Sequence, residues 1–370
     1  MRRDRADDQT LNRADRRYRG GPVPAAHGAR RRRGGFRRLV IVTVLVLLAV
    51  AVVGGGLLWG RVTAFNDKVS TAPSVSSSLL FPLNGSDRVN VLLLGYSGAS
   101  HDSTYLADSI NILSIDPKTN TTTTIPIPRD LWIEGERTLP DSGKVNEIFA
   151  AGYLSGGVEE GGRASAEVLS HVTGLTIDHW MAIDFTGFQE MVDAVGRVTI
   201  ENPRRFDFTM DENFYNRGIW SGGSFEQGRL DLDGTRALAY TRARYTSDPA
   251  ESSDFARSVR QSRVLAALKA KLGAGGLGSI GPGLGLMGAL EGRLRTDLSA
   301  VDLFLLSGRL ASDRRIELSE GQILEATTNT LGQYVLAVIG RSTPNDYEPL
   351  KAYIRERLDA PIDKSASPTP

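Results

Sequence analysis

Hydrophobic residues follow three different patterns along the chain. The first is a run of 22 residues without any charge, from Leu39 to Gly60. A helix of this length at ~1.5 Å per residue covers ~33 Å, enough to cross a hydrocarbon core of ~30 Å. A cleaved signal peptide would have a shorter apolar region of ~7–15 residues before a small-residue cleavage site, and Trp59 suits an interfacial anchor instead. The pattern predicts one transmembrane helix over residues 39–60.

The second pattern consists of short apolar or β-branched runs bounded by turn residues. Arg88–Gly95 and Asp108–Ile115 predict two buried strands. Asp116–Asn120 is a strong turn, so Thr121–Ile127 is expected to pair back as a hairpin. A short strand is predicted at Trp180–Asp184.

The third pattern is the helical period that separates these strands. It predicts helices over Asn146–Leu154, Gly162–His171, Phe185–Val195, Asp233–Tyr240, Asp254–Leu272, Ser299–Leu310 and Tyr347–Leu358. Residues 202–230 are irregular and are expected to form a flap, and the glycine-rich segment Gly273–Gly288 is expected to be a linker or long loop. Strands interleaved with helices predict an α/β fold with a mixed central β-sheet sandwiched by helices, preceded by one transmembrane helix.

These patterns divide the chain into segments. The expected order is a basic disordered cytoplasmic tail (1–38), the transmembrane helix (39–60), an extracytoplasmic linker (61–86), the main folded domain (87–272), a glycine-rich loop (273–292), a C-terminal helical extension (293–358) and a tail (359–370). The role of the extension is open, and helices that complete the domain are favoured over a second activity.

Charge gives the membrane segment a direction. The formal net charge is +1, but residues 1–38 hold thirteen Arg, no Lys and four Asp, which is +9, and leave −8 on the remainder. Because Arg30–Arg33, Arg37 and Arg38 flank one side of the apolar run, the positive-inside rule places the N-terminus in the cytoplasm. The Arg clusters also suit attraction to anionic lipid. The sequence predicts a single-pass protein of the cell membrane with an extracytoplasmic domain and no nucleic-acid partner.

Several chemistries are excluded or poorly supported. The chain has no cysteine, which excludes thiolate catalysis, disulfides and Cys-based zinc sites. It contains no G-x-x-x-x-G-K-[ST] phosphate loop, no G-x-S-x-G elbow and no H-E-x-x-H motif. With four His in the chain, one of them (His27) in the tail, a histidine-centred hydrolase is poorly supported.

Arginine recurs beside carboxylates at the ends of predicted strands and helices. The positions are Arg129 next to Asp130, Arg242, Arg244, Arg257 and Arg260, with Gln261 one turn after Arg257. Converging guanidinium groups repel each other unless an anion neutralises them, and their planar fork matches phosphate oxygens. Phosphate or pyrophosphate is the expected ligand. The opposite helix face, with Phe255, Val259, Ser262 and Ala266, is expected to face the core.

A solvated helix face is the alternative interpretation of the same arginines. Asp248, Glu251 and Asp254 lie close enough in sequence to pair with them, and charge runs on helices usually face solvent. Spacing alone slightly favours this alternative, because it does not show that Arg129 and Arg257 meet in space.

Six segments in order resemble the LytR-CpsA-Psr family of cell-wall glycopolymer ligases. The matching stretches are Arg88–Gly95, Ala107–Asp116, Ile125–Asp130, Gly143–Ala150, Leu232–Arg244 and Asp254–Gln261. Together they run from about residue 88 to 272, so residues 87–272 would be the catalytic domain. A basic tail followed by one membrane helix is also the usual layout of that family.

The resemblance implies transfer of a glycopolymer with its linking phosphate from a polyprenyl-pyrophosphate carrier to a peptidoglycan hydroxyl. In phosphoryl transfer, positioning and charge stabilisation supply most of the catalysis. By position, the implied pyrophosphate-binding residues are Arg129, Arg242, Arg244, Arg257, Arg260, Gln261, Lys144 and Asn146. Asp108, Arg129 and Arg257 would be catalytic, with Asp108 as the general base and as a ligand of Mg²⁺.

Two departures from the family pattern concern the metal. Many members carry an Asp soon after the first strand, where this chain has Ser97. Asp102 in the adjacent loop is the expected replacement, although an ordinary capped turn explains Asp102 equally well. An Arg that often precedes the Asp108 position by two residues is replaced by Leu106.

Two other functions fit the same residues. A lipid-pyrophosphate pyrophosphatase or phosphatase would use the same site with water as the acceptor. A non-catalytic lipid-binding or regulatory membrane protein would instead signal through its Arg-rich tail.

Overall fold

The computed structural model describes residues 54–72, 88–98, 105–119, 121–134, 142–208, 223–243, 246–272, 280–307 and 313–361. The predicted transmembrane helix lies outside the described residues except for 54–60, which are helical. Within the part of the chain that the structure describes, no helix has both the length and the apolar character needed to cross a membrane. The chain divides into two compact units, Met1–Gly56 and Leu57–Pro370. The second unit contains all of the described strands.

Strands and helices alternate through this unit. The strands are β1 (Val89–Tyr96), β2 (Ala107–Asp116), β3 (Thr121–Pro126), β4 (Trp132–Glu134), β5 (Ser142–Lys144), β6 (His179–Asp184), β7 (Val198–Asn202), β8 (Phe206–Phe208), β9 (Gly223–Phe225), β10 (Gly228–Leu232), β11 (Leu294–Thr296), β12 (Asp313–Arg315), β13 (Leu324–Thr328) and β14 (Tyr334–Val338). The helices are α1 (residues 54–69), α2 (Val145–Thr173), α3 (Phe185–Ala194), α4 (Gly234–Arg242), α5 (Asp254–Lys271), α6 (Ile280–Leu290), α7 (Ala300–Ser307) and α8 (Glu348–Asp359).

Six strands form a mixed central sheet in the order β11-β6-β1-β2-β3-β12. β1, β2 and β3 pair antiparallel, whereas β6 lies parallel to β1. At the two edges, β11 pairs antiparallel with β6 and β12 pairs parallel with β3. The predicted mixed sheet and the hairpin between β2 and β3 are confirmed.

Both faces of β1 are buried, which explains its continuous apolar sequence. Leu92 and Leu94 belong to the main core, together with residues of α2, α8 and the β13–β14 hairpin. Val91 and Leu93 belong to the opposite face, where Leu306 of α7 packs. Helices therefore cover both sides of the sheet, as the sequence predicts.

The two helices predicted over residues 146–154 and 162–171 are joined into α2 across a kink. Gly156 and Gly157 have non-helical backbone angles, with φ of −160° and +76°. The position of Gly157 requires glycine because φ lies in the left-handed region. The helix ends at Gly174, which has φ of 70° and caps the last turn.

A smaller core lies beside the sheet and consists of α3, α4, α5 and the strands β7 to β10. β7 pairs with β10, and β8 pairs with β9. Aromatic rings fill it, with the Phe225 and Tyr240 centroids 5.0 Å apart. The prediction that residues 202–230 are irregular is wrong for the described residues, because β8 and β9 lie within this segment and β10 begins in it. Strands of three to five residues are too short to give a clear alternating pattern.

The C-terminal part also differs from the prediction. Ile280–Leu290, expected in a glycine-rich loop, is helix α6, whose Leu286 and Leu290 pack against Phe65 of α1. The segment 293–358, expected to be helical, contributes β11, β12 and the β13–β14 hairpin besides α7 and α8. Both edge strands of the central sheet thus come from beyond residue 272.

Close packing of α2 on β6 predicts a strong effect of Gly162→Ala. A Cβ at Gly162 would lie 2.3 Å from Cε3 of Trp180, which is buried in the main core. Overpacking of this kind costs about 1–3 kcal/mol, so thermal unfolding should show a Tm several degrees lower. In the control Gly288→Ala the added Cβ meets nothing within 4 Å on helix α6, so the Tm should stay or rise. Equal Tm values for the two variants would contradict this packing.

Candidate active site

A cavity of about 520 Å³ lies on the face of the central sheet opposite the main core, between β1, β2, β6 and the helices α3 to α7. At one end it is lined by charged and amide side chains, here called the polar end: Asp108, Arg129, Asp130, Lys144, Asn146, Arg242, Arg257 and Gln261. Elsewhere its lining is called the apolar wall and includes Phe65, Leu93, Leu113, Met181, Leu286 and Leu303. Asp108 and Leu113 are five positions apart on β2, about 17 Å in an extended strand. The cavity therefore has room for a polar headgroup joined to a hydrocarbon chain.

A β-bulge directs Asp108 into this cavity. Gly95 pairs with Ser109 and Tyr96 pairs with Ala107, so Asp108 is an extra residue between two paired positions. Without the extra residue, the alternation of β2 would point Asp108 toward the same side as Ile110 and Ile112 of the main core. The bulge lets Asp108 and Ser109 both line the cavity.

Arg129 is held between two carboxylates. Its Nη1 donates to Asp108 Oδ1 at 2.8 Å, and its Nε lies 3.5 Å from Asp130 Oδ2. Lys144 Nζ donates to Asp130 Oδ1 at 2.6 Å. The side chains of Arg129 and Asp108 are only 18% and 17% exposed, so water screens this pair weakly. The network fixes a guanidinium and an ammonium side by side at the polar end.

The start of α2 contributes two further groups. Lys144 is the N-cap residue, and its backbone N–H donates to Glu147 Oε2 at 3.1 Å. Asn146 is 4% exposed, and its backbone N–H donates to the carbonyl oxygen of Arg129 at 3.3 Å. The Asn146 Oδ1 is buried without a hydrogen-bond partner among the described residues. An orphaned buried acceptor is costly, so this oxygen suits a hydroxyl or water donor brought by a ligand.

Helices α4 and α5 bring the remaining groups to the polar end. Arg257 and Gln261 lie one turn apart on α5, which begins after the N-cap Ser253. Gln261 Nε2 donates to the backbone oxygen of Asp108 at 3.4 Å, which ties α5 to the bulge. At the end of α4, the Arg242 guanidinium lies 4.3 Å from the centre of the Phe185 ring, a cation–π contact.

Among the described residues of the polar end, cations outnumber carboxylates. The polar end has two carboxylates, Asp108 and Asp130, and four described cations: Arg129, Lys144, Arg242 and Arg257. The other two carboxylates among the lining residues cap helices: Glu147 on α2 and Asp184 on α3, where Asp184 Oδ1 accepts from the Gly187 N–H at 2.7 Å. A polyanionic group fits this balance.

The family model for LytR_cpsA_psr matches residues 60–343 of the chain. The chain belongs to the LytR-CpsA-Psr family. The resemblance seen in its motifs is confirmed, and the match reaches well past the segment that carried them.

Named relatives give a consistent picture. The chain is 31% identical over 219 residues to a polyisoprenyl-teichoic acid–peptidoglycan teichoic acid transferase TagU of Bacillus anthracis, covering 59% of this chain and 63% of that protein. It is 28% identical over 222 residues to the TagU of Bacillus licheniformis, covering 60% and 64%. The matched region thus spans less than two thirds of these relatives.

Solved structures support the fold. Protein gbs0355 of Streptococcus agalactiae matches with a TM-score of 0.58 at 24% identity, covering 79% of this chain and 93% of that one. Bacillus subtilis TagV matches with a TM-score of 0.54 at 20% identity, covering 75% and 99%. The mixed α/β architecture is therefore that of the LytR-CpsA-Psr fold.

One predicted site residue of this LytR-CpsA-Psr chain lies elsewhere. Arg260 has a fully buried side chain in the smaller core, where its Nη1 donates to Glu251 Oε2 at 2.7 Å and its Nε to the Tyr240 carbonyl at 3.0 Å. Its Nη2 donates to the Ala243 carbonyl. Burial lowers the pKa of Arg260, and Glu251 opposes that shift. The structure contradicts the prediction that Arg260 contacts the headgroup, because its donors are used inside the protein.

The prediction that Phe255, Val259, Ser262 and Ala266 form the core-facing side of α5 is also wrong. Phe255 is 51% exposed, whereas the buried positions include Arg260, Val264 and Leu268. The face that carries the arginines is therefore the one that packs inward, and the solvated-face alternative fails for Arg257 as well, which is 6% exposed.

Two predicted site residues lie outside the described residues, and two residues of the site are not predicted from the sequence. Arg244 and Asp102 lie outside the described residues. Gln333, between β13 and β14, lines the cavity although it comes from the segment expected to be a helical extension. The sequence pattern places Phe185 in a helix and gives it no role in the site, yet its ring contacts the Arg242 guanidinium. Neither residue carries a sequence signal, because tertiary packing alone brings them to the site.

The Arg260–Glu251 pair gives a stability prediction. Arg260→Met should lower the free energy of unfolding by about 3–5 kcal/mol, because breaking a buried pair leaves an uncompensated charge. Urea denaturation measures this change. The double variant Arg260→Met with Glu251→Leu removes the orphaned carboxylate and should recover part of the loss. An unfolding free energy unchanged in the single variant would show that Arg260 is not held as described.

Proposed function

We propose that the chain is a membrane-anchored extracytoplasmic transferase. Its reaction moves a phospho-glycopolymer from a polyprenyl-pyrophosphate carrier to a hydroxyl of peptidoglycan, in cell wall assembly. The names of the TagU relatives support a polyisoprenyl-linked donor and a peptidoglycan acceptor. The uncharged run 39–60 and the Arg-rich tail support the single-pass anchor and its orientation.

One observation carries the proposal, namely a cationic polar end continuous with an apolar wall. Arg129, Lys144 and Arg257 line the same cavity as Leu93, Met181 and Leu303. A soluble sugar phosphate would leave the apolar wall in contact with water, and a plain lipid would bring no anion to the polar end. A diphosphate attached to a long hydrocarbon chain satisfies both parts.

The reaction follows from where the charges lie. The acceptor hydroxyl attacks the phosphorus that carries the glycopolymer, the bond from that phosphorus to the bridging oxygen breaks, and polyprenyl phosphate leaves. Arg129, Arg242 and Arg257, with Arg244 by its position in the motif, neutralise the charge that develops on the phosphate oxygens. Lys144, Asn146 and Gln261 orient the headgroup. Asp108 accepts the proton of the attacking hydroxyl.

The proposed cofactor is Mg²⁺. Mg²⁺ usually binds one or two protein carboxylates together with substrate phosphates and several waters, and Asp108 supplies one carboxylate at the polar end. Among the described residues there is no group of three or more His, Asp or Glu suited to a metal ion. Asp102 is the proposed second ligand. When bound, the ion would supply neutralisation of the phosphate charge.

Arg257→Ala tests the proposal directly. Loss of one positioned donor at a developing negative charge reduces the rate by about 10²–10³-fold, so transfer from a lipid-pyrophosphate glycopolymer to peptidoglycan should fall by that factor. The matched control is Arg163→Ala, because Arg163 is 62% exposed and pairs with Glu160 on the surface of α2. Thermal unfolding of each variant separates loss of activity from loss of fold. Equal activity of the two variants would exclude the proposed site.

The acceptor separates transfer from hydrolysis. If purified protein releases polyprenyl phosphate only when peptidoglycan is present, the transferase assignment holds. Release at the same rate without the acceptor would support a lipid-pyrophosphate hydrolase that uses the same residues.

Mg²⁺ dependence is a further prediction. Chelation with EDTA should abolish transfer, and added Mg²⁺ should restore it, because the ion offsets the repulsion between phosphate oxygens and the incoming hydroxyl. In Asp108→Asn the concentration of Mg²⁺ needed for half-maximal rate should rise. Full activity in EDTA would remove Mg²⁺ from the mechanism and leave the charge stabilisation to the arginines and Lys144.

A further inference from the structure

Helix α6 has no polar side chain, yet one side of it lies at the surface of the domain. Its 11 residues are Ile, Gly, Pro, Leu, Met and Ala only. Leu286 and Leu290 are buried, whereas Gly285 and Gly288 are exposed and face open space. A helix at a water-facing surface ordinarily carries polar residues on its outer side, and a helix that is hydrophobic all round is typical of an apolar environment. The outer side of α6 is therefore better suited to lipid than to bulk water.

Helix α7 extends the same surface. Phe304 is 53% exposed, and the same residue also lines the cavity. Leu286, Met287 and Leu303 line the cavity from α6 and α7 as well. Among the described residues, these two helices thus have the cavity on their inner side and exposed apolar residues on their outer side.

Helix α1 connects this wall to the uncharged run of the sequence. Val62 and Phe65 of α1 pack in one cluster with Leu286 and Leu290 of α6. Trp59, one turn before Val62, is 48% exposed, and Leu57 is 68% exposed. Arg61 is exposed and follows directly after the uncharged run. Trp and Arg at the end of a hydrophobic run mark the level of the lipid headgroups, so the chain enters the domain beside α6.

We propose that the outer side of α6, Phe304 and the exposed part of α1 form a docking surface that lies on the outer face of the lipid bilayer. The inference rests on the proposed membrane anchor and extends it, since the domain would contact the lipid through its own surface as well as through the tether. Interfacial helices sit ~5–10 Å into the boundary between headgroups and acyl chains. The wall of the cavity then faces the membrane that holds the carrier, and the polyprenyl chain reaches the apolar wall without crossing water.

The absence of cysteine from the chain allows a direct test. Gly288→Cys in the full-length protein places one thiol on the outer side of α6, where an added Cβ meets no neighbouring atom within 4 Å. The labelled protein is reconstituted in phosphatidylcholine–phosphatidylglycerol vesicles with an environment-sensitive fluorophore. Glu356→Cys is the control, because its side chain is 82% exposed on α8, which packs on the other face of the sheet.

The expected result is blue-shifted emission at position 288 that lipids with a nitroxide on the acyl chain quench, while the label at position 356 is unaffected. Unshifted, unquenched emission at 288 in protein that floats with the vesicles would overturn the docking surface and leave the anchor intact. Protein that does not float with vesicles would overturn both. A nitroxide label at 288 that shows spin–spin broadening would assign the surface to a second copy of the chain instead, and would equally overturn the proposal.

Discussion

The pairing of Arg129 with Asp108 depends on a single extra residue in β2. Because Asp108 stands between two paired positions of the sheet, its carboxylate leaves the side of the main core and meets the guanidinium that follows β3. Gln261 holds the backbone oxygen of the same residue, which brings α5 and therefore Arg257 to the same place. The cationic groups of the polar end thus converge on a local irregularity of the strand and not on a loop, and a sheet supports them with little freedom to move.

The two faces of the central sheet serve different purposes. The face toward α2 and α8 is filled by large side chains such as Phe149 and Leu131 and provides the main core. The face toward α6 and α7 keeps a cavity, so part of the hydrophobic burial that a sheet of this size offers is left unused. The buried ion pair of Arg260 with Glu251 in the smaller core holds α5 from its other side. The arrangement keeps α5 fixed beside an open cavity, although the cavity itself contributes no packing.

Long apolar or periodic segments predicted the fold well, whereas short strands and the glycine-rich segment did not. β1 to β3, β6 and the helices α3, α4, α5 and α8 follow from strong periodicity or continuous apolar runs. The strands of the smaller core are too short to show an alternating pattern. The glycines of α6 are typical of a loop, and only tertiary packing makes that segment helical. Within the site, adjacency to a strand end predicts Arg129 and Asp130, whereas Asp108 follows from the family resemblance, and all three line the cavity. Spacing on α5 treated Arg257 and Arg260 alike, because a helical period does not reveal that one turns toward the cavity and the other toward Glu251.

The origin of the two edge strands sets a limit on where the domain can be shortened. β11 and β12 come from residues after 293, and they cover β6 and β3 with backbone hydrogen bonds. A chain ending near residue 272 would keep every cationic residue of the polar end but would uncover both margins of its sheet. Unpaired strand margins recruit strands from other molecules, so such a fragment is expected to self-associate before its catalytic competence can be judged.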